Sequence, residues 1–63
     1  MDGARVAEIR KSLGMTQEQL AEAVGVTNVT ICKWENNSTV PNATKLLKLS
    51  KALKCDVGEL LES

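Results

Sequence analysis

The start of a helix is marked three times in this chain by the same local pattern, and that repetition limits the fold more than any other feature. In each case a polar capping residue lies between two apolar residues, one directly before it and one four positions after it. These caps are Thr16, Thr27 and Asp56. Asn42, which follows Pro41, is a fourth candidate. Helices that start so often in a chain of 63 residues must be short.

Apolar spacing between the caps predicts an all-α fold in one domain that covers residues 1–63. Val6, Ile9 and Leu13 recur at helical spacing before the first cap, and Gly14 can end that helix. Strand formers are scarce beside Leu, Ala, Glu and Lys, since Trp34 is the one aromatic residue. We expect a compact bundle of five short helices, covering roughly 4–13, 17–24, 28–36, 43–53 and 57–62.

Composition excludes several classes of function. The chain has no His and two cysteines, Cys32 and Cys55, so neither a metal site nor a disulfide framework is expected. No nucleophile motif, phosphate loop or carboxylate pair indicates an enzyme, and no cofactor or small-molecule substrate is expected. No apolar run resembles a signal peptide or could cross a bilayer. These features predict a cytoplasmic protein with reduced thiols and no membrane partner.

The connection between the second and third predicted helices is the most informative stretch. Only Gly25, Val26 and Thr27 separate them, and Gly25 is expected to adopt a positive φ angle. A turn this short suits two helices that cross steeply, which is the arrangement of a helix-turn-helix. Helical periodicity places five residues inward, namely Leu20, Ala21, Val24, Ile31 and Trp34.

The opposite side of the third helix carries short side chains, namely Asn28, Val29, Cys32, Lys33 and Asn36. An Asn amide can pair with the edge of adenine, a Lys ammonium with guanine, and Val methyls with the thymine methyl. These residues alone fit an ordinary solvated face equally well, and the tight turn before them favours DNA. A redox-sensing role for Cys32 is a weaker alternative to a packing or groove contact.

The formal net charge of zero sets this chain apart from most DNA-binding domains, which carry a basic excess. Phosphate contacts are therefore expected largely from neutral groups. The N-termini of the second, third and fourth helices carry Gln17, Thr27 and Asn42. Asn36, Asn37, Ser38 and Thr39 add further donors. Lys33 and Lys45 are the cations placed to help, and two neutralised phosphates imply a log-log salt slope near roughly −2 per monomer.

Residues 13–22, 24–26, 30–31, 34–36, 41–53 and 59–61 resemble the phage repressor and Cro family, the Xre-like (Cro/C1-type) helix-turn-helix domains. The resemblance spans nearly the whole chain. It implies a lambda-repressor-like fold and a transcriptional regulator, specifically a repressor, that binds double-stranded DNA. It further implies a homodimer on a palindromic operator.

The resemblance also implies roles for individual residues. Those that would enter the major groove are Asn28, Val29, Cys32 and Lys33. Those that would contact phosphate are Gln17, Thr27 and Asn36. Arg10 and Glu35 match a partly buried family ion pair that ties the first helix to the third. Independent surface charges are the alternative for these two.

Two departures from the family pattern limit what can be carried over. Many members have Lys or Arg in the loop 37–40, whereas this chain has none, so weak non-specific affinity is expected. Val29 and Cys32 replace longer polar readers, so the target sequence does not transfer.

Self-association is expected to use apolar residues that so small a core would leave exposed. The candidates are Val40, Val57, Leu60 and Leu61. The competing hypothesis is a protein-interaction module of the same fold, antitoxin-like or coactivator-like, which the zero net charge favours.

Overall fold

Five α-helices make up the computed structural model, which describes residues 1–61. They are α1 (Gly3–Ser12), α2 (Gln17–Val24), α3 (Asn28–Glu35), α4 (Ala43–Ala52) and α5 (Val57–Leu61). No strand occurs among these residues, and the expected all-α bundle is confirmed for them. Residue 62, the expected end of the fifth helix, lies outside the described residues.

Three helices end one residue earlier than expected, because the expected last residues are C-caps. The ψ angles of Leu13, Asn36 and Leu53 are 0°, 9° and −2°, although their N–H groups still donate to the last turn. α1 begins one residue early, at Gly3. Its N-cap is Asp2, which was not predicted. The Asp2 carboxylate accepts hydrogen bonds from two backbone N–H groups of the first turn.

The caps of the middle helices are those that the sequence predicts. Thr16 Oγ1 accepts from the Gln19 N–H at 3.0 Å, and Gln19 Oε1 accepts from the Thr16 N–H at 2.9 Å. Thr27 and Asn42 cap α3 and α4 in the same way, each accepting one N–H from the first turn. Each cap satisfies an otherwise unpaired donor, so each helix has a defined first residue.

The core lies where all five helices meet. α2 packs between α3 and α4, while α1 contacts α3 and α5. All five residues expected to face inward on α2 and α3 are buried, which confirms that periodicity. The complete set of buried apolar residues is Val6, Leu20, Ala21, Val24, Ile31, Trp34, Leu49, Leu53 and Leu60.

The turn between α2 and α3 has the expected geometry. Gly25 has a φ of +85°, in the left-handed region that glycine tolerates best. The N–H groups of Gly25 and Val26 both donate to the carbonyl of Ala21, at 2.8 and 2.9 Å. This closes α2 and lets α3 begin after Thr27, so the turn directly determines where α3 starts.

The C-terminal part of the bundle corrects one prediction. Leu60, expected among the dimer contacts, has 0% exposure and packs in the core. Its backbone carbonyl also accepts a hydrogen bond from the Asp2 N–H at 3.1 Å, which holds α5 against the start of α1. Leu60 is therefore unavailable to a partner. No helix among residues 1–61 is both long and apolar enough to span a bilayer.

Candidate nucleic-acid interface

α3 has one buried side and one exposed side. Ile31 and Trp34 are 0% and 4% exposed and anchor the helix against α1 and α2. The five residues expected on the outer side are all exposed, namely Asn28, Val29, Cys32, Lys33 and Asn36. Val29 retains 58% of its surface and lies beside polar or polarisable side chains. This side makes a short surface of mixed hydrogen-bonding and apolar character.

The segment after α3 is folded back by side-chain hydrogen bonds. Asn36 Oδ1 accepts from the Ser38 N–H at 3.0 Å, and the Lys33 carbonyl accepts from the N–H groups of Ser38 and Thr39. Asn37 has a φ of +64°, and its Oδ1 accepts from the Gly3 N–H at 3.0 Å. Both amides are thus held through their oxygens, and neither amide NH₂ group donates to another group within residues 1–61.

Gly3 lies closer to α3 than any side chain would allow. A Cβ built on it would lie 2.2 Å from the carbonyl oxygen of Trp34 and 2.5 Å from that of Glu35. Neither the role of Gly3 nor its hydrogen bond to Asn37 was predicted from the sequence. One signal was available in the sequence: a Gly directly after a capping Asp at the chain's first helix.

Arg10 and Glu35 form the expected ion pair, and the alternative of independent surface charges is wrong. Arg10 Nε donates to Glu35 Oε2 at 2.7 Å and Nη2 donates to Oε1 at 3.2 Å. The two side chains are only 9% and 8% exposed. Arg10 Nη1 also donates to the carbonyl of Met15 at 2.8 Å. The pair therefore joins α1, the α1–α2 turn and the last residue of α3.

Gln17, the first residue of α2, belongs to the same cluster. Its side-chain Nε2 donates to Glu35 Oε1 at 2.9 Å. The Glu35 carboxylate thus receives hydrogen bonds from two different helices. No buried side-chain nitrogen or oxygen within residues 1–61 lacks a hydrogen-bond partner, so every buried polar atom of this cluster is paired.

Charge is distributed unevenly along the chain, which the net value conceals. Residues 36–55 contain four lysines and no carboxylate: Lys45, Lys48, Lys51 and Lys54. Glu18 and Glu22 are exposed on α2. At the start of α4, Asn42 Oδ1 accepts from the Lys45 N–H at 2.9 Å, which places these two predicted phosphate contacts next to each other. Of these four lysines, only Lys45 was predicted as a phosphate contact, and the basic stretch as a whole was not predicted.

The remaining dimer candidates are exposed to different degrees. Val40 and Leu61 retain 66% and 54% of their surface, while Val57 is half-buried. These three could contact a partner, unlike Leu60.

Both cysteines are free thiols, but their surroundings differ. Cys32 is exposed on α3, while Cys55 is half-buried against the core. Burial raises the pKa of the Cys55 thiol above its ordinary value, and the nearby carboxylates of Glu59 and Asp56 raise it further against an opposing effect of Arg5. No cluster of residues able to hold a metal ion occurs between residues 1 and 61.

Residues 6–60 match a family model described as helix-turn-helix. The match covers most of the chain and includes α2, the turn at Gly25 and α3. The chain belongs to the helix-turn-helix family. Its resemblance to Xre-like repressor domains is confirmed.

Relatives of this helix-turn-helix domain include Repressor protein C2 of Salmonella phage P22, which is 47% identical over 60 residues. That alignment covers 95% of this chain and 28% of the relative. The HTH-type transcriptional regulator DicA of Escherichia coli is 38% identical over 53 residues, with 84% and 39% covered. The chain therefore spans between about a quarter and two fifths of these two proteins.

Solved structures agree closely with this helix-turn-helix domain. The P22 c2 repressor in complex with a synthetic operator superposes with a TM-score of 0.93 at 47% identity, covering 95% of this chain and 91% of that one. The restriction-modification controller protein C.AhdI of Aeromonas hydrophila gives 0.88 at 30% identity, covering 94% and 89%. The lambda-repressor-like fold is confirmed.

Proposed function

We propose that this chain is a sequence-specific DNA-binding domain of a transcriptional repressor, and that it reads the major groove with α3. The observation that carries the proposal is the division of α3 between an anchored side and an exposed side of base-compatible residues. A relative that shares the fold at 47% identity is described as a repressor in complex with a synthetic operator, which supports the same role here.

Each exposed residue of α3 has a matching base edge. The Asn28 amide can donate to and accept from adenine, and the Lys33 ammonium can donate to guanine O6 and N7. Val29 presents methyl groups suited to the thymine methyl. Cys32 lies on the same side and is small enough to allow close approach to the bases. We assign base reading to these four residues.

Phosphate contacts come mainly from neutral groups. The candidates are Gln17, Thr27, Asn36, Asn37, Thr39, Asn42 and Lys45. Because Asn36 and Asn37 are held through their oxygens, their amide N–H groups remain available for a phosphate. Lys33 and Lys45 supply the formal charge, so affinity for DNA should fall with salt at a slope near roughly −2 per domain.

A homodimer on a two-fold symmetric operator completes the proposal. Half-sites would lie about one helical turn apart, so that both copies of α3 enter the same face of the duplex. The exposed Val40 and Leu61 and the half-buried Val57 supply the apolar contact. On this proposal the protein acts in the cytoplasm of a prokaryotic cell or an infected host, where the operator lies.

Selection of bound duplexes from a random pool tests the function. The wild-type chain should enrich one symmetric sequence. Asn28→Ala and Lys33→Ala should each relax the preference at one position and cost about 1–3 kcal/mol in binding. Lys11→Ala, which removes an exposed lysine from α1, is the charge-matched control and should keep the preference. An unchanged preferred sequence in a folded Asn28→Ala, Lys33→Ala double variant contradicts the proposal.

The second candidate function is recognition of another protein by the same fold, for which the zero net charge is the supporting observation. Binding to random duplex at low salt separates the two. A DNA-binding domain should bind detectably and lose affinity as salt rises. Absence of binding at low salt, together with no enriched sequence, would favour the protein-interaction module.

A further inference from the structure

The Gln17 amide is oriented by the Glu35 carboxylate, and this orientation has a consequence for DNA. An ionised carboxylate can only accept hydrogen bonds, so the NH₂ group of Gln17 must face it. One N–H then donates to Glu35 Oε1 at 2.9 Å. The second N–H and the amide oxygen remain for other partners. The side chain is therefore held in place before any ligand arrives.

Arg10 makes this arrangement compatible with a phosphate nearby. A lone carboxylate beside a phosphate would repel it, and the repulsion would be strong where water is excluded. Arg10 cancels the charge of Glu35 through two hydrogen bonds, at 2.7 and 3.2 Å. Its third nitrogen, Nη1, donates to the Met15 carbonyl, so the guanidinium is itself held in place. The cluster is neutral overall and presents an amide donor.

Gln19 provides an internal contrast two residues along the same helix. Its side-chain oxygen accepts from the Thr16 N–H at 2.9 Å, so its amide is held through the opposite end. Gln19 is an exposed residue, and its NH₂ group makes no hydrogen bond within residues 1–61. The two glutamines of the chain thus differ in which amide group makes the intramolecular hydrogen bond: the NH₂ group in Gln17 and the oxygen in Gln19.

We propose that Glu35 is a positioning residue for DNA binding, which acts through Gln17 to orient one backbone-phosphate contact. The buried ion pair then does more than join helices, because it couples the last residue of α3 to a phosphate contact made from α2. This inference rests on the proposed function. It adds a residue that does not touch DNA to those that determine affinity.

The first test needs no variant and uses side-chain amide resonances in the free protein. The NH₂ protons of Gln17 should have NMR chemical shifts that differ from those of Gln19. They should also exchange with water more slowly, because only Gln17 donates to a buried carboxylate. Equal shifts and equal exchange rates for the two glutamines would overturn the proposal.

The second test measures the affinity of three variants for the selected duplex: Gln17→Met, Glu35→Gln and the double variant. Each is measured at a temperature well below its unfolding midpoint, where it is folded. Each single change should weaken binding about tenfold, as expected for one hydrogen bond to a charged group. The double variant should be no weaker than either, because both remove the same contact. Replacing single phosphates of the duplex by neutral methylphosphonates should identify the phosphate that Gln17 contacts, because wild-type affinity falls at that position. The affinity of both single variants should no longer depend on a methylphosphonate at that same position.

Glu8→Gln is the matched control, because it removes an exposed carboxylate that pairs with Arg5 at 2.7 Å on α1. Its affinity should equal that of the wild type. Additive losses in the double variant, or retained methylphosphonate sensitivity in folded Glu35→Gln, would overturn the positioning role while leaving DNA binding intact. A wild-type chain that selects no duplex would overturn the proposed function and this inference with it.

Discussion

The junction between α1 and α3 and the junction between α4 and α5 are built in opposite ways. At the first, a buried ion pair, a backbone approach at Gly3 and the Asn37 amide all determine the position of α3. At the second, the chain turns through Lys54, whose φ is +56°, into a helix of five residues. There the contacts are apolar, through Leu53 and Leu60.

This difference shows where the fold requires accuracy. Polar bonds and close backbone contacts have narrow distance limits, so they hold α3 in one orientation. Apolar packing tolerates small shifts more easily, and it suffices to close the end of the bundle. The rigid junction is the one that supports the candidate DNA-reading helix.

The largest expected effect is from breaking the ion pair. Arg10→Met should lower the free energy of unfolding by about 3–5 kcal/mol, because it leaves the Glu35 carboxylate buried without its counter-charge. Urea denaturation followed by Trp34 fluorescence measures this. Arg5→Met, which breaks the exposed pair with Glu8, is the control and should cost under about 0.5 kcal/mol. Equal losses in the two variants would mean that the α1–α3 pair contributes no more than a surface pair.

Gly3→Ala tests the close backbone contact. The new Cβ would clash with backbone carbonyls of α3, which cannot move aside as a flexible side chain could. We expect a loss of about 3 kcal/mol in unfolding free energy. Gly58→Ala in α5 meets open space and should instead gain about 0.5–1 kcal/mol. If both changes have the same sign, the contrast between the junctions is wrong.

A pair of glycine substitutions compares the left-handed residues of the two junctions. Lys54→Gly should raise the unfolding free energy by about 1 kcal/mol, because it relieves a conformation that disfavours a side chain. Asn37→Gly should lower it by about 1 kcal/mol, because asparagine tolerates positive φ and its bond to the Gly3 N–H is lost. Thermal denaturation of both variants measures the two changes in stability, which should have opposite signs. A stabilised Asn37→Gly variant would argue against a stabilising hydrogen bond between Asn37 and Gly3.

The smallest effect concerns pH at the α4–α5 junction. Because the folded-state pKa of Cys55 is raised, its neutral thiol contributes stability that is fully present below the unfolded-state pKa. That contribution declines as pH rises from the unfolded-state value through the folded-state value. Under reducing conditions, the wild type should therefore lose stability relative to Cys55→Ala over this alkaline range. A difference between the two proteins that does not change with pH would contradict the raised pKa.

Local patterns predicted the helices well, because their signals lie within one turn of the chain. Thr16 and Gln19 are three residues apart and cap α2 as expected, and Gly25 takes the positive φ that a short turn requires. Leu60 was misassigned for a physical reason. Hydropathy alone cannot distinguish an apolar residue that packs in the core, such as Leu60, from one that remains exposed, such as Leu61.

The candidate site was only partly predictable. The exposed side of α3 follows from the burial of Ile31 and Trp34, so periodicity identified it. The Arg10–Glu35 pair came from a family resemblance, since no local rule connects residues 25 positions apart. Spacing gave no signal of the Gln17 bond to that pair. For the Gly3 bond to Asn37, the sequence offered only the glycine that directly follows the capping Asp2.

The amino-acid order alone determined where the helices start, where the tight turn lies and which side of α3 is buried, because each depends on neighbours within a few residues. Tertiary structure alone decided which distant polar groups meet. Gly3 reaches Asn37 across 34 positions and Gln17 reaches Glu35 across 18. Such bonds require α1, α2 and α3 to lie against one another, because hydrogen bonding depends on distances that no local pattern specifies.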